Sequence, residues 1–278
     1  LRKAAVAEAI CNTDYMGEIS NFGDTVNIIK EPQIAVADYT RGLAVTSTNL
    51  TDQELVLTID QAKSFSFKLD DLEKRFSHVN FQAVASDNAA YALRDAMDSN
   101  ILTAIRAGAT VTTGMGTTSA PIDIGFTGSK VDPLNQMALA AKELDEANAP
   151  EEGRWFVAAP EWYNALSNSA SKLLSVDFNA GQGSIRNGLV ASGLLRGFQM
   201  YKSNNLPTND LSGATPAGSA TAPVALFGHI SATSAASSMN KVETIRDTGT
   251  FSDIVRGLMV WGRKVLRPEI VGKIHYVV

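Results

Sequence analysis

Two short motifs combine residue types that can carry out acyl transfer. Ser169-Ala170-Ser171-Lys172 has the serine and lysine spacing of penicillin-binding enzymes, and Ser86-Asp87-Asn88 matches their second motif. The two motifs stand in reverse order, no Lys-Thr-Gly motif follows, and Asp87 falls inside a predicted long helix. We therefore keep a serine and lysine hydrolase only as a distant alternative, and we predict that the protein is not an enzyme and has no catalytic residue.

The remaining residues that could bind a cofactor or a metal lack the spacing that such sites need. Gly114-Met115-Gly116 and Gly181-Gln182-Gly183 do not complete a phosphate-binding glycine pattern after a predicted strand. The three histidines and the single cysteine are far apart in the sequence: His78, His229, His275 and Cys11. A metal site usually takes such ligands at short, regular spacing. We predict neither a cofactor nor a metal.

Composition excludes several further classes of protein. Charged residues make up 19% of the 278 residues, below the usual value of about 25%, and the net charge is −5. A dedicated nucleic-acid binder is expected to be basic, so we predict at most non-specific contact with DNA. A single cysteine cannot form an intrachain disulfide, which is typical of a reducing cytosol. No apolar run reaches the 18 or so residues of a membrane span, and we predict no membrane partner.

The longest regular pattern is an alternation of apolar and polar residues from Glu54 to Leu69. Its apolar row comprises Leu55, Leu57, Ile59, Phe65, Phe67 and Leu69. As a single strand this segment would reach roughly 50 Å, whereas strands usually have about five or six residues. A compact core could not cover such a strand. We predict that it is the return limb of an extended hairpin, with its tip near Arg41, and that its apolar row packs on another subunit.

Other patterns predict a mixture of helices and strands. Asn80 to Ala107 reads as a helix of about 28 residues, with an apolar stripe and with Arg94 paired to Asp98 one turn away. Asp132 and Pro133 are typical of a helix start. The further predicted elements are a strand at Arg154 to Ala159 leading into a helix, a mobile loop at Pro207 to Pro223, and strands at Val242 to Arg246, Ile254 to Leu266 and Ile270 to Val278.

Several of these segments together resemble the major capsid proteins of tailed bacteriophages, whose coat-protein fold also builds herpesvirus shells. The segments that carry the resemblance are Gly23-Asp24-Thr25-Val26-Asn27-Ile28, Leu57-Thr58-Ile59-Asp60-Gln61-Ala62-Lys63, Ala89-Ala90-Tyr91-Ala92-Leu93, Gly197-Phe198-Gln199-Met200-Tyr201, Ser203-Asn204-Asn205-Leu206-Pro207 and Gly262-Arg263-Lys264-Val265-Leu266-Arg267-Pro268-Glu269. They occur in the order of the family's elements and span nearly the whole chain.

The resemblance implies an α+β phage coat-protein fold in four parts. These are an N-terminal arm at 1–21, an extended β-hairpin loop at 22–69, a peripheral domain with a long spine helix at 70–130 and 239–278, and an axial α/β domain at 131–238. It also implies self-assembly into hexamers and pentamers of an icosahedral head that encloses double-stranded DNA. An encapsulin-like compartment, built on the same fold around enzymes, is the alternative.

The resemblance further implies partners and a location. The partners are other copies of the chain, portal and scaffolding proteins, and, as a further option, cement proteins. The expected location is the capsid shell of the virion, after assembly in the host bacterial cytoplasm. Lattices of this kind hold each subunit through several neighbours at once, so modest contacts combine into a stable shell.

We predict two sets of residues at contacts between subunits. The extended-loop set comprises Arg41, Leu55, Leu57, Ile59, Lys63 and Phe65. The charged set comprises Glu54, Arg256, Arg263, Lys264 and Arg267. The basic members could pair with acidic groups of a neighbour such as Glu54, Asp95 or Asp98. The alternative interpretation, a strand edge kept soluble by its charges, stays open.

Overall fold

The computed structural model of the protein describes residues 5–17, 23, 25–30, 36, 38, 41–42, 53–71, 81–168 and 194–278. The helices in these ranges are α1 (Ala7–Ile10), α2 (Phe81–Gly108), α3 (Pro133–Glu146) and α4 (Pro160–Leu166). The strands are β1 (Thr25–Lys30), β2 (Gln53–Thr58), β3 (Gln61–Asp70), β4 (Ile122–Asp123), β5 (Arg154–Ala158), β6 (Gln199–Lys202), β7 (Thr208–Asn209), β8 (Ala222–His229), β9 (Thr233–Arg246), β10 (Ser252–Val265) and β11 (Val271–Val277). Helix and strand together give the predicted α+β class.

The described strands form three sheets. β1 and β2 make an antiparallel two-stranded arm, and β3, β10 and β9 make an antiparallel three-stranded sheet in that order. The largest sheet has the order β4-β11-β8-β5-β6, and β7 pairs with β8. β4 and β6 run parallel to their neighbours, whereas β8 runs antiparallel to both β11 and β5.

The prediction of one long strand from Glu54 to Leu69 is wrong. The ladder breaks at Ile59 and Asp60, so β2 pairs with β1 whereas β3 pairs with β10. At the break, Asp60 accepts a hydrogen bond from Arg263 and the Ile59 carbonyl accepts one from the Gly23 N–H. Alternation alone could not reveal the break, because apolar residues keep their spacing on both sides of it.

The long helix is confirmed as α2, which has 28 residues and spans about 40 Å. Its predicted stripe faces the core: Met97, Ile101 and Ile105 are buried. The predicted pair of Arg94 and Asp98 does not form on a polar face, because Asp98 is 1% exposed. Its carboxylate accepts hydrogen bonds from the backbone N–H groups of Val6 and Ala7 and from the Asn205 amide, which joins α1 and the segment after β6 to the long helix.

The largest sheet and α4 enclose an aromatic core. The Trp162 ring meets Phe156 at 5.3 Å and Tyr276 at 4.9 Å between centroids, and Phe156 also contacts Phe198 and Phe227. Such pairs add about 0.5 to 1.5 kcal/mol each beyond their buried area. Because β5 leads directly into α4 at Pro160, the predicted strand and helix unit is confirmed.

The structure differs from two further predictions, those of a mobile loop and of the start of a strand. The segment predicted as a mobile loop, Pro207 to Pro223, contains β7 and a small buried cluster of Leu211, Ala214 and Ala222. β9 begins at Thr233, earlier than the predicted Val242; its first half is rich in Ser and Ala, which give no strand pattern in the sequence. The sheets also cross the predicted domain bounds, since β11 pairs with β8 and β9 spans residue 238. The four-part division itself stays a prediction.

Candidate intersubunit surface

The base of the β1–β2 arm is fixed to the body of its own chain. Leu57 and Ile59 are fully buried in a cluster with Ile28, Ala236 and Val260. Leu55 packs on the edge of this cluster and is half-buried. The cover that we predicted on a neighbour is thus provided, for the Leu57 and Ile59 side chains, by the chain itself.

A glycine permits this close approach of the arm. A Cβ added at Gly262 would lie 2.4 Å from the carbonyl oxygen of Thr58 and 3.1 Å from the Cα of Ile59. Both of these are backbone atoms, so no side-chain rotation could relieve the clash. Only a residue without a side chain lets β10 run this close beneath the end of β2.

We expect Gly262→Ala to displace the arm and to lower the free energy of unfolding by about 1 to 3 kcal/mol, the usual range for overpacking. Chemical unfolding of the purified chain measures this change. Gly213→Ala is the matched control, because a Cβ at Gly213 would meet nothing within 4 Å. Equal stability of the two variants would contradict the close packing.

Beyond the arm, one face of the three-stranded sheet is open. This open sheet face comprises Ser64, Ser66 and Lys68 of β3, Ile254, Arg256 and Leu258 of β10, and Glu243 and Ile245 of β9. Leu258 and Ile245 are 40% and 37% exposed, whereas Val260, next on the same face of β10, is 3% exposed beneath the arm. The opposite face packs on α2, where Trp261 donates a hydrogen bond to Asn100. The α2 face is therefore covered where the helix packs, although Val242 at its β9 edge is 60% exposed, whereas the face of Leu258 and Ile245 is open beyond the arm.

Charged groups on and beside the open sheet face are paired within the chain. Arg256 lies 3.0 Å from Glu243, and Arg263 lies 3.1 Å from Asp60. Asp95 and Asp98, two of the acidic partners that we considered on a neighbour, both accept hydrogen bonds from Asn205 of the same chain. For Arg256 and Arg263 the structure thus supplies partners inside the subunit. Exposed pairs of this kind contribute about 0 to 1 kcal/mol each and can exchange partners at an interface.

The other predicted contact residues lie at several places around the arm and the sheet. Arg41 is exposed in a turn, and Glu54 is exposed on β2. Lys63 is exposed and Phe65 half-buried on β3, on the face toward α2, with the Phe65 ring over Gly257. Lys264 and Arg267 are exposed at the end of β10 and just after it. The structure thus spreads the two predicted sets over both sheet faces and does not bring them into one patch.

The turn between β9 and β10 presents an aromatic side chain that the sequence analysis missed. Phe251 is 82% exposed. Asp247 holds the turn by accepting hydrogen bonds from the Gly249 N–H and the Thr250 hydroxyl, and Lys68 pairs with the same carboxylate. Hydrogen bonds from Lys68, Thr250 and Gly249 hold the pKa of Asp247 well below its ordinary value. A large apolar side chain on a hydrogen-bonded turn could have been recognised as a contact candidate.

The motifs that suggested chemistry form no site among the described residues. Ser86, Asp87 and Asn88 lie inside α2, and Ser169 to Lys172 lie outside the described residues. No group of three or more His, Cys, Asp or Glu residues in the described part of the chain could hold a metal ion. None of the helices described is both long enough and apolar enough to cross a membrane.

Comparison with known protein families identifies the family of the chain that carries the arm and the open sheet face. The model of a family described as phage capsid protein matches residues 52–274, which is most of the chain. The chain belongs to the phage capsid protein family. A search of curated proteins finds no match to this capsid protein.

Solved structures agree with the family. A structure from Mycobacterium phage Che8 is 29% identical in sequence, with a TM-score of 0.77, and the match covers 99% of the capsid protein and 93% of that chain. The capsid structure of the cyanophage P-SCSP1u is 22% identical, with a TM-score of 0.74 and coverages of 100% and 89%. The mature capsid of bacteriophage PhiM1 is 15% identical, with a TM-score of 0.67 and coverages of 99% and 88%. The last two likenesses show a shared fold.

These matches confirm the prediction of a tailed-phage major capsid protein with the phage coat-protein fold. The capsid protein is a structural, non-enzymatic subunit that self-associates into an icosahedral shell and forms part of the virion. An encapsulin-like compartment and a serine and lysine hydrolase are not favoured.

Proposed function

We propose that the capsid protein forms hexamers and pentamers that tile a closed head around double-stranded DNA. The observation that carries the proposal is that one subunit has both a two-stranded β1–β2 arm with an exposed outer face and an open sheet face. A monomer would leave the Leu258 and Ile245 side chains partly in water. In a lattice, each of these features can meet a complementary feature of another copy.

In this proposal, the arm of one subunit lies over the body of the next. The outer face of the arm presents Asn27, Glu54 and Val56, with Val56 41% exposed. Arg41 is exposed in the segment between the two arm strands, so it is well placed to reach a neighbour. Lys63 is exposed and Phe65 is half-buried on the other face of β3, where another neighbour could contact them. The proposed intersubunit role of Arg41, Glu54, Lys63 and Phe65 rests on these exposed or half-buried positions.

The remaining partners follow from what a DNA-filled head requires. A closed head needs an entry point for DNA and a means to set its size, so we propose portal and scaffolding partners, with cement proteins as a further option. The net charge of −5 favours weak, non-specific contact with the packaged DNA. We further propose that assembly takes place in the host bacterial cytoplasm, in line with a single, buried cysteine.

The experiment is to express the chain with and without its scaffolding partner, to separate the products by size and to image the high-mass fraction by electron microscopy. We expect closed shells with fivefold and sixfold clusters of subunits. Nucleic acid inside native particles would support a phage head, whereas packaged enzymes would support a compartment. Only monomers or dimers under all assembly conditions would contradict the proposal.

A further inference from the structure

A cluster of three polar side chains joins the end of the long helix to the largest sheet. Arg106, in the last turn of α2, donates hydrogen bonds to the side-chain oxygen of Asn209 and to the carbonyl of Thr208 on β7. The side-chain nitrogen of Asn209 lies 2.7 Å from Nδ1 of His275 on β11. His275 and Asn209 are 7% and 9% exposed. Three side chains therefore link a helix and two strands, and two of them, Asn209 and His275, are largely shielded from bulk water.

The direction of each hydrogen bond in this group is fixed by chemistry. A guanidinium can only donate, so Arg106 must face Oδ1 of Asn209. The amide nitrogen of Asn209 can then only donate toward His275, and Nδ1 of His275 must accept. The imidazole is consequently neutral, with its proton on Nε2. A proton on Nδ1 would place two donors face to face, and rotating the amide would only move the same conflict to Arg106.

The groups packed around His275 also disfavour its protonation. The charged groups facing it are Arg106 of α2 and Lys273 of β11, and Lys273 itself donates to the carbonyl of Arg106. The other neighbours of His275 are not ionisable. They are Asn209 on β7, Val224 on β8 and the carbonyl of Met115 in the segment 111–116. Burial, Lys273 and Arg106 lower the pKa of His275 from its ordinary value of 6.5.

We propose that the Arg106–Asn209–His275 cluster is an acid-sensitive joint between the long helix and the largest sheet. Protonation of His275 removes the acceptor that Asn209 needs, and the bonds from Asn209 to β11 and to α2 can no longer coexist. Acid would therefore loosen the contact of α2 with β7 and β11 in every copy of the subunit. This inference goes beyond the proposed function and does not depend on how the shell is tiled.

The sign of the pH dependence follows from the lowered pKa. The opened joint binds a proton more readily than the closed joint, so protons favour opening. The stabilising contribution is complete above the ordinary pKa of 6.5 and is lost as the pH falls through the lower pKa of the closed joint. Between these two values, each unit of pH lowers the closed-to-open ratio by up to about tenfold.

Hydrogen exchange measured by mass spectrometry on assembled particles of the full chain tests this inference. After correction for the intrinsic pH dependence of exchange, we expect protection of peptides covering 104–110 and 206–211 to fall between pH 7.5 and pH 5.5, by up to about tenfold. Peptides from α3, which lies outside this joint, should keep their protection. Unchanged protection at the joint over this pH range would overturn the proposal.

Two variants separate the joint from general acid effects. Asn209→Asp supplies a carboxylate that can accept from both Arg106 and a protonated His275, so the acid-induced loss should disappear. His275→Asn offers a permanently neutral acceptor near the position of Nδ1, and it too should remove the loss. His229→Asn is the matched control, because His229 is also buried but bonds to Ser231 and Glu152 instead. A wild-type response in Asn209→Asp would count against the joint even if His275→Asn failed to fold.

Discussion

Replacing Leu57 by alanine is expected to lower the free energy of unfolding by about 2 to 5 kcal/mol and to prevent shell formation. Leu57 is fully buried where the arm meets the sheet, between Ile28, Ile59 and Val260. The truncation leaves a cavity in this cluster, because the Leu57 side chain is fully buried among packed neighbours. A loosened base would leave the arm without a fixed direction, and a subunit whose arm points variably cannot meet its neighbours in one geometry.

Chemical unfolding of the purified chain gives the stability change, and sedimentation after addition of the scaffolding partner gives the yield of shells. Val56→Ala is the matched control for stability, because Val56 neighbours Leu57 on the same strand but is 41% exposed on the outer face. We expect it to cost less than about 1 kcal/mol. Equal losses in the two variants would show that the base of the arm is not the buried anchor described above.

Replacing Phe251 by serine is expected to impair assembly while leaving the free energy of unfolding of the subunit unchanged. Its side chain is 82% exposed, so truncation removes little packing within the subunit. The turn that carries it is held by Asp247, whose bonds to Gly249, Thr250 and Lys68 do not involve the Phe251 ring. An exposed aromatic on a fixed turn loses little entropy on binding, which is typical of residues that dominate interfaces.

The measurement is the concentration of free subunit in equilibrium with shells. A loss of about 1.4 kcal/mol in the free energy of association per subunit raises this free-subunit concentration about tenfold. We expect at least this increase for Phe251→Ser. Phe251→Tyr keeps the ring and should assemble like the wild type. A Phe251→Ser subunit that assembles at the wild-type concentration would show that the turn faces solvent in the shell.

Sequence patterns predicted the helices well, because a helix depends largely on local chemistry. Asp132 accepts a hydrogen bond from the Leu134 N–H at the start of α3, as its position before Pro133 predicted. The apolar stripe of α2 likewise lies where helical periodicity placed it. The break between β2 and β3 could not be predicted in this way, since Gly262 and Arg263, which contact it, lie some 200 residues later in the chain.

The candidate contact surface was only partly predictable for the same reason. The alternation around Leu55 identified an apolar row, but burial within the subunit depends on Ala236 and Val260, which only the fold brings near. Asp98 was expected on a polar helix face, whereas the chain places the N–H groups of Val6 and Ala7 against it. Phe251 was missed because a single aromatic residue in a turn has no periodic neighbours.

A cryo-electron microscopy reconstruction of assembled shells tests the central claim most directly, because it shows what covers each subunit. We predict that the outer face of the arm, at Glu54 and Val56, and the open sheet face, at Leu258 and Ile245, lie within about 4 Å of other copies. Shells in which these residues remain in solvent, with neighbours joined through other surfaces, would contradict the account.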